Sequence, residues 1–189
     1  MYKHCMTDQS TRRQRQLEQG LMDMMLHKRF DEISVSDLCD GMQIPRKSFY
    51  RYFSNKEGAL YAMIDHAIVE FNAFVLTENV FEADTPLRMM ERFFTYWKDN
   101  RRLLDALAKS GLSGVLVQRS IDYSEKELGL NRFMPEDAQL VRSYGVTYSV
   151  CGLMTMLVRW HHEGFQQSVE KMAKIAVRLM NEPMLAEID

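Results

Sequence analysis

The sequence predicts an all-α protein of about nine helices, a small N-terminal helix-turn-helix module followed by a larger helical bundle. Three observations lead there. Only four prolines and nine glycines interrupt 189 residues, and both are costly inside helices. Segment after segment places apolar residues three and four positions apart, the helical spacing. Apolar residues make up 46% of the chain, which suits a packed domain and argues against disorder.

The elements follow in order. Residues 10–28 read as a helix, capped by Ser10 or Thr11, with Leu17, Leu21, Met24 and Met25 as its apolar stripe. Phe30 to Ile33 is a short connection whose apolar ends tuck inward. Ser34 and Asp37 have the spacing of a capping box at the start of a two-turn helix carrying Val35 and Leu38. Gly41 is expected to end that helix, Ile44 to point inward, and Pro45 to open the next one. Residues 34–53 are therefore two short helices joined by a tight turn, a helix-turn-helix outline.

The chemistry of the second short helix sets it apart from a bland helical hairpin. IPRKSFYRYFSNKE, residues 44–57, holds four basic and four aromatic residues. Phe49, Tyr52 and Phe53 fall on one side, while Arg46, Lys47, Tyr50 and Arg51 fall largely on the other. The first set can anchor the helix to a core, with Tyr52 near the edge able to turn its hydroxyl outward. The second set makes a cationic face suited to a polyanion.

Ser54 or Asn55 caps a long helix from Lys56 to about Asn79. After a loop at 81–85, Thr85-Pro86 opens a helix to Asp99, and another runs from Arg101 to Lys109 and stops at Gly111. Further helices span Ser113 to Leu128, Glu136 to His162 (ended by Gly164) and Ser168 to Asn181, with a loop at 129–138. The domain reading is 1–56 for the small module, completed by the start of the fourth helix, and 57–189 for the bundle.

Charge divides along the same line. Residues 1–56 carry ten Lys/Arg against seven Asp/Glu, and the remainder fourteen against nineteen. A basic end and an acidic body point to an anionic partner at the first. The three cysteines are scattered and form no CxxC pair, which suits reduced thiols in a cytoplasmic protein. The N-terminus shows no signal-peptide core, and no apolar run reaches the roughly 20 residues that span a bilayer, so no membrane partner is expected.

At residues 34–60 the pattern SVSDLCDGMQIPRKSFYRYFSNKEGAL resembles the TetR/AcrR family of bacterial transcriptional regulators, most specifically in FYRYFSNKE. The resemblance implies a dimeric regulator, most simply a repressor, that binds double-stranded operator DNA of the palindromic kind, which two-fold dimers read about 34–36 Å apart or a multiple of that. Arg46, Lys47 and Ser48 are the candidate base readers at the front of the recognition helix. By resemblance Tyr50, Tyr52 and Lys56 occupy phosphate-contacting positions, and Ser34 and Ser36 add backbone contacts. Arg12, Arg13 and Arg15 either touch flanking phosphates or are simply solvated. This chain departs from the family at Gln43, where glycine is usual in the turn, and at Lys47, where the recognition helix often has a small residue, commonly glycine.

The bundle is the expected sensor of a small apolar or amphipathic effector, with Phe94, Trp97, Tyr144, Tyr148 and Cys151 as candidate pocket residues. The last two helices are the expected homodimer interface, through Met156, Trp160, Met172, Ala176, Leu179 and Met180. Each of these residues has ordinary core as its alternative. No enzyme, metal or cofactor is expected: His161 and His162 are adjacent and project in different directions, and no Gly-rich phosphate loop occurs. The rival reading is a helical sensor or co-regulator acting through a protein partner instead of operator DNA.

Overall fold

In a computed structural model the chain is described at Tyr2 and over residues 7–76, 85–127 and 136–181. Among the described residues are nine α-helices and one 3-10 turn: α1 (Asp8–Met25), the turn (Phe30–Glu32), α2 (Val35–Gly41), α3 (Arg46–Tyr50), α4 (Lys56–Leu76), α5 (Pro86–Asp99), α6 (Arg101–Lys109), α7 (Ser113–Glu127), α8 (Glu136–His162) and α9 (Val169–Asn181). An isolated bridge joins Tyr2 to Phe53. The expected helix ends at Asn79 and Leu128 lie outside the described residues. None of the described helices is long and apolar enough to cross a membrane.

Local hydrogen bonds decide where helices begin. The cap of α1 is Thr7, not Ser10 or Thr11. Thr7 Oγ1 accepts from the Ser10 amide at 3.3 Å, and Ser10 Oγ accepts from the Thr7 amide at 3.3 Å. Ser10 is thus the third-position member of the box, a role usually given to Glu or Gln. Asn55 caps α4, its Oδ1 accepting from the Gly58 amide at 2.9 Å. Thr85 accepts from the Arg88 amide ahead of α5, and Ser168 from the Lys171 amide ahead of α9.

By its contacts the chain divides into two compact units, residues 1–67 with 102–115, and residues 68–101 with 116–189. The first unit takes in most of α6, which a boundary at residue 56 leaves in the bundle. Leu17, Leu21 and Met25 of α1, Leu38 of α2, and Phe49 and Phe53 are fully buried there. The end of α6 is tied to the end of α1: Lys109 Nζ donates to the Leu26 carbonyl at 3.0 Å, and Arg102 pairs with Asp23 at 2.8 Å. Glu18 is buried in this core and meets His66 Nδ1 at 2.8 Å, with Arg15 at 3.6 Å. Those partners offset the cost of burying a carboxylate.

In the second unit α5 packs along α9, burying Met90, Phe94 and Trp97 from one helix and Met172, Ala173 and Ala176 from the other. Edge-to-face rings extend this core, with Phe93 to Phe94 at 5.0 Å and Phe94 to Trp160 at 5.4 Å. Such pairs add to the area they bury.

Candidate nucleic-acid interface

The helix-turn-helix is built by two devices. At its start Ser34 Oγ accepts from the Asp37 amide at 3.0 Å, while Asp37 Oδ2 accepts from the Ser34 amide at 2.9 Å and from its hydroxyl at 2.7 Å. The Ser34 hydroxyl, then its amide, hold the Asp37 carboxyl below the usual range. At the turn α2 ends at Gly41 as expected, but the left-handed conformation falls on Gln43, at φ 54°, and not on the glycine. The Gln43 amide donates to the Asp40 carbonyl at 3.1 Å and the Ile44 amide to Cys39 at 2.9 Å. That bond pair is a Schellman ending, and it aims the chain into α3.

α3 is only five residues long, with Pro45 as its N-cap. Phe49 is fully buried and packs on Phe53 at 5.2 Å between ring centres. Opposite it Arg46 and Lys47 are exposed, as is Tyr50 at 52%. Neither cation makes an ion pair or hydrogen bond among the described residues. Ser48 and Ser36 are half-buried, and Arg51 is exposed. Arg12 and Arg13 are exposed on α1, whereas Arg15 turns to Glu18.

Two expectations change here. Tyr52 is 7% exposed, so its ring belongs to the core and only a small edge remains for an outside partner. Lys56 is not a free phosphate clamp. Its ammonium donates to the carbonyls of Phe30 at 2.8 Å, Ile33 at 2.9 Å and Asp31 at 3.3 Å, and sits 4.6 Å from the centre of the Phe30 ring. An ammonium has three donors, and all three are engaged. An open groove of about 390 Å³ is lined by Ser34, Tyr50, Ser54, Asn55 and Lys56, but also by Asp31, Glu32 and Glu57. Those carboxylates oppose a phosphate in the groove. The cationic surface is therefore the outer face of α3.

The second unit holds a cavity of about 160 Å³ between α4, α5, α7 and α8. Of the expected pocket residues Trp97 lines it. Phe94 is buried against other rings, and Cys151 is half-buried beside the lining residues Val150, Leu153 and Met154. Tyr144 and Tyr148 point away and are 71% and 76% exposed. Sequence periodicity does not single out Ile68 of α4, Met89 of α5, Ser120 of α7 or Met154 of α8 as lining residues, because the wall is assembled from four helices that only the fold brings together.

The expected dimer residues also divide. Trp160, Met172 and Ala176 are buried within the second unit, where the Trp160 indole N–H donates to the Gln167 carbonyl at 3.1 Å. Met156 is half-buried, while Leu179 and Met180 are exposed on α9. Exposed apolar residues on α8 are Leu140, Val141, Tyr144 and Tyr148. Among the described residues no group of three His, Cys, Asp or Glu could hold a metal ion.

No protein-family model matches the chain. The HTH-type transcriptional regulator EthR of Mycolicibacterium smegmatis is 51% identical over 41 residues, which span 22% of this chain and 19% of that protein. Solved structures are similar over nearly the whole length. A TetR-family transcriptional regulator from Syntrophomonas wolfei aligns at TM-score 0.65 and 14% identity, covering 93% of this chain and 98% of its own. The fatty acid degradation regulator FadR from Bacillus halodurans aligns at TM-score 0.57 and 13% identity, covering 92% and 96%. The chain has the all-helical fold of TetR-family regulators, as its N-terminal motif implies.

Proposed function

We propose that this protein is a dimeric transcriptional repressor that binds operator DNA through α3 and leaves it when a small molecule occupies the cavity of the second unit. The observation that carries the reading is the outer face of α3: Arg46 and Lys47, exposed and unpaired, beside Tyr50 on a helix braced by Phe49. Exposed cations with no partner among the described residues gain by neutralising phosphates, and the arginine can read guanine in the major groove.

One such helix covers too little duplex for tight, specific binding, which is why a second copy is required. The exposed apolar residues Val141, Tyr144 and Tyr148 of α8, with Leu179 and Met180 of α9, are the surface assigned to it. α4 is the shared element: Lys56 lies in its first turn, and Ile68, Phe71 and Val75 line the cavity. An effector acts only through its different affinity for the bundle arrangements that α4 can join.

The deciding experiment is a gel shift on DNA from upstream of the protein's own gene, over a series of salt concentrations. Binding that weakens steeply with salt is expected. Binding absent at low salt would leave the co-regulator reading, with the same α8 and α9 residues meeting a different protein.

A further inference from the structure

We propose that the cavity of the second unit takes an uncharged, largely apolar molecule about one aromatic ring in size, and that the Trp97 indole N–H donates to a single acceptor on it. This rests on the reading of that unit as a sensor.

Size, charge and wall chemistry each narrow the occupant. At about 160 Å³ the cavity is close to an engineered apolar cavity of about 150 Å³ that takes benzene. Among the described residues no Asp, Glu, Lys, Arg or His lines it, so an ion entering would lose its hydration without compensation from them. Phe71, Phe93 and Trp97 form an aromatic wall, with Phe71 edge-on to Phe93 at 5.6 Å and tilted against Trp97 at 6.0 Å. Edges and faces so arranged accept one more ring. Met89, Met90 and Met154 also line the cavity, and their unbranched thioethers let it reshape around an occupant.

The polar groups set the orientation. Ser120 Oγ donates to the Leu116 carbonyl at 2.9 Å, and Asn72 Nδ2 to the Ile68 carbonyl at 2.7 Å, so both donors look to their own helices, while Ser124 adds a half-buried hydroxyl to the wall. Trp97 differs. The residue is 1% exposed, and its Nε1 has no acceptor among the described residues. The chain's other tryptophan, Trp160, satisfies its indole N–H on Gln167. A buried donor left unmet is a standing cost that an acceptor on the occupant would remove. Trp97 lines the cavity but its N–H is closed off, so neighbouring side chains must shift for an acceptor to reach it.

The test uses the full chain and three probes of similar shape: acetophenone, with one carbonyl acceptor; ethylbenzene, with none; and benzoate, an anion. Two tryptophans give two indole signals in a nitrogen-labelled sample. Acetophenone should move the Trp97 indole proton downfield and leave that of Trp160 in place. Ethylbenzene should bind without that shift, and benzoate should not bind. Trp97→Phe should weaken acetophenone relative to ethylbenzene by about tenfold. The comparison is a ratio because the ketone is the better hydrated probe. An unchanged ratio, benzoate binding as well as acetophenone, or no binding of any probe would overturn the inference. If Trp97→Phe does not fold, the indole shifts of the unaltered protein decide. Salt-dependent DNA binding, measured without probes, separates the two readings: it can persist when the probes fail, and can be absent when they behave as expected.

Discussion

The outer face of α3 and the first turn of α4 lie ten residues apart and use their cations in opposite ways. Arg46 and Lys47 are exposed with no partner among the described residues. Lys56 has spent its ammonium on three carbonyls and a ring. Arg46, Lys47 and Lys56 are alike as basic residues in the sequence. By available donors, one region can take up a phosphate and the other braces the 3-10 turn ahead of α2. A basic residue in such a module is thus free or a strut according to what already holds it.

The largest effect expected from this difference is on DNA affinity. Arg46→Ala with Lys47→Ala should weaken operator binding by about a hundredfold or more and lower the salt slope by about two. Thermal stability should hold within about 0.5 kcal/mol, because the side chains are exposed and unpaired. Fluorescence anisotropy over a salt series, beside a melting curve, reads both. A pair of variants that melts early and keeps its salt slope would erase the contrast.

Lys56→Met should behave the other way. Three carbonyls lose a charged donor, which we expect to cost about 2 kcal/mol in urea unfolding. The salt slope of DNA binding should stay as it was, since no phosphate charge is removed. A slope reduced by about one would reassign Lys56 to the duplex.

Ser34 presents the same choice on a smaller scale. As the cap of α2, Ser34→Ala should cost about 1 kcal/mol with the salt slope unchanged. Asp37 answers the cap in return, and its carboxyl is held low by the Ser34 hydroxyl and amide. A lowered folded-state pKa stabilises above the ordinary carboxylate range and loses that contribution as pH falls through it. The stability difference between the parent and Ser34→Ala should therefore be full above the ordinary carboxylate range and shrink as pH falls below it, which urea unfolding over a pH series would read.

What could be read from the sequence follows the range of the forces involved. The Ser34 and Asp37 box, the Thr85-Pro86 start and the burial of Phe49 and Phe53 depend on neighbours within a few positions, and spacing gives them directly. Lys56 could not be read that way: its acceptors lie more than twenty residues earlier, and only the fold brings them to the ammonium. The cavity is the extreme case. Its wall combines residues of four helices, and Tyr144 and Tyr148 were expected inside because rings favour pockets, although α8 turns them outward.

Gln43 offers the smallest and sharpest test. Among the described residues three helices end with the same bond pair. After α6 the Leu112 amide reaches Leu107 and the left-handed residue at that position is Gly111; after α8 the Phe165 amide reaches Trp160 and it is Gly164, followed by a left-handed Phe165; after α2 it is Gln43. A side chain at positive φ costs about 1 kcal/mol, and glycine returns part of that through the greater freedom of its unfolded chain. Gln43→Gly should therefore raise stability by only about 0.5 kcal/mol, or roughly 1–2 °C in Tm. Unchanged DNA affinity would make Gln43 a tolerated strain at the hinge of the motif. Lower affinity in a more stable protein would instead mean that the amide side chain works at the DNA surface beside Arg46 and Lys47, extending the exposed face of α3 into the turn that precedes it.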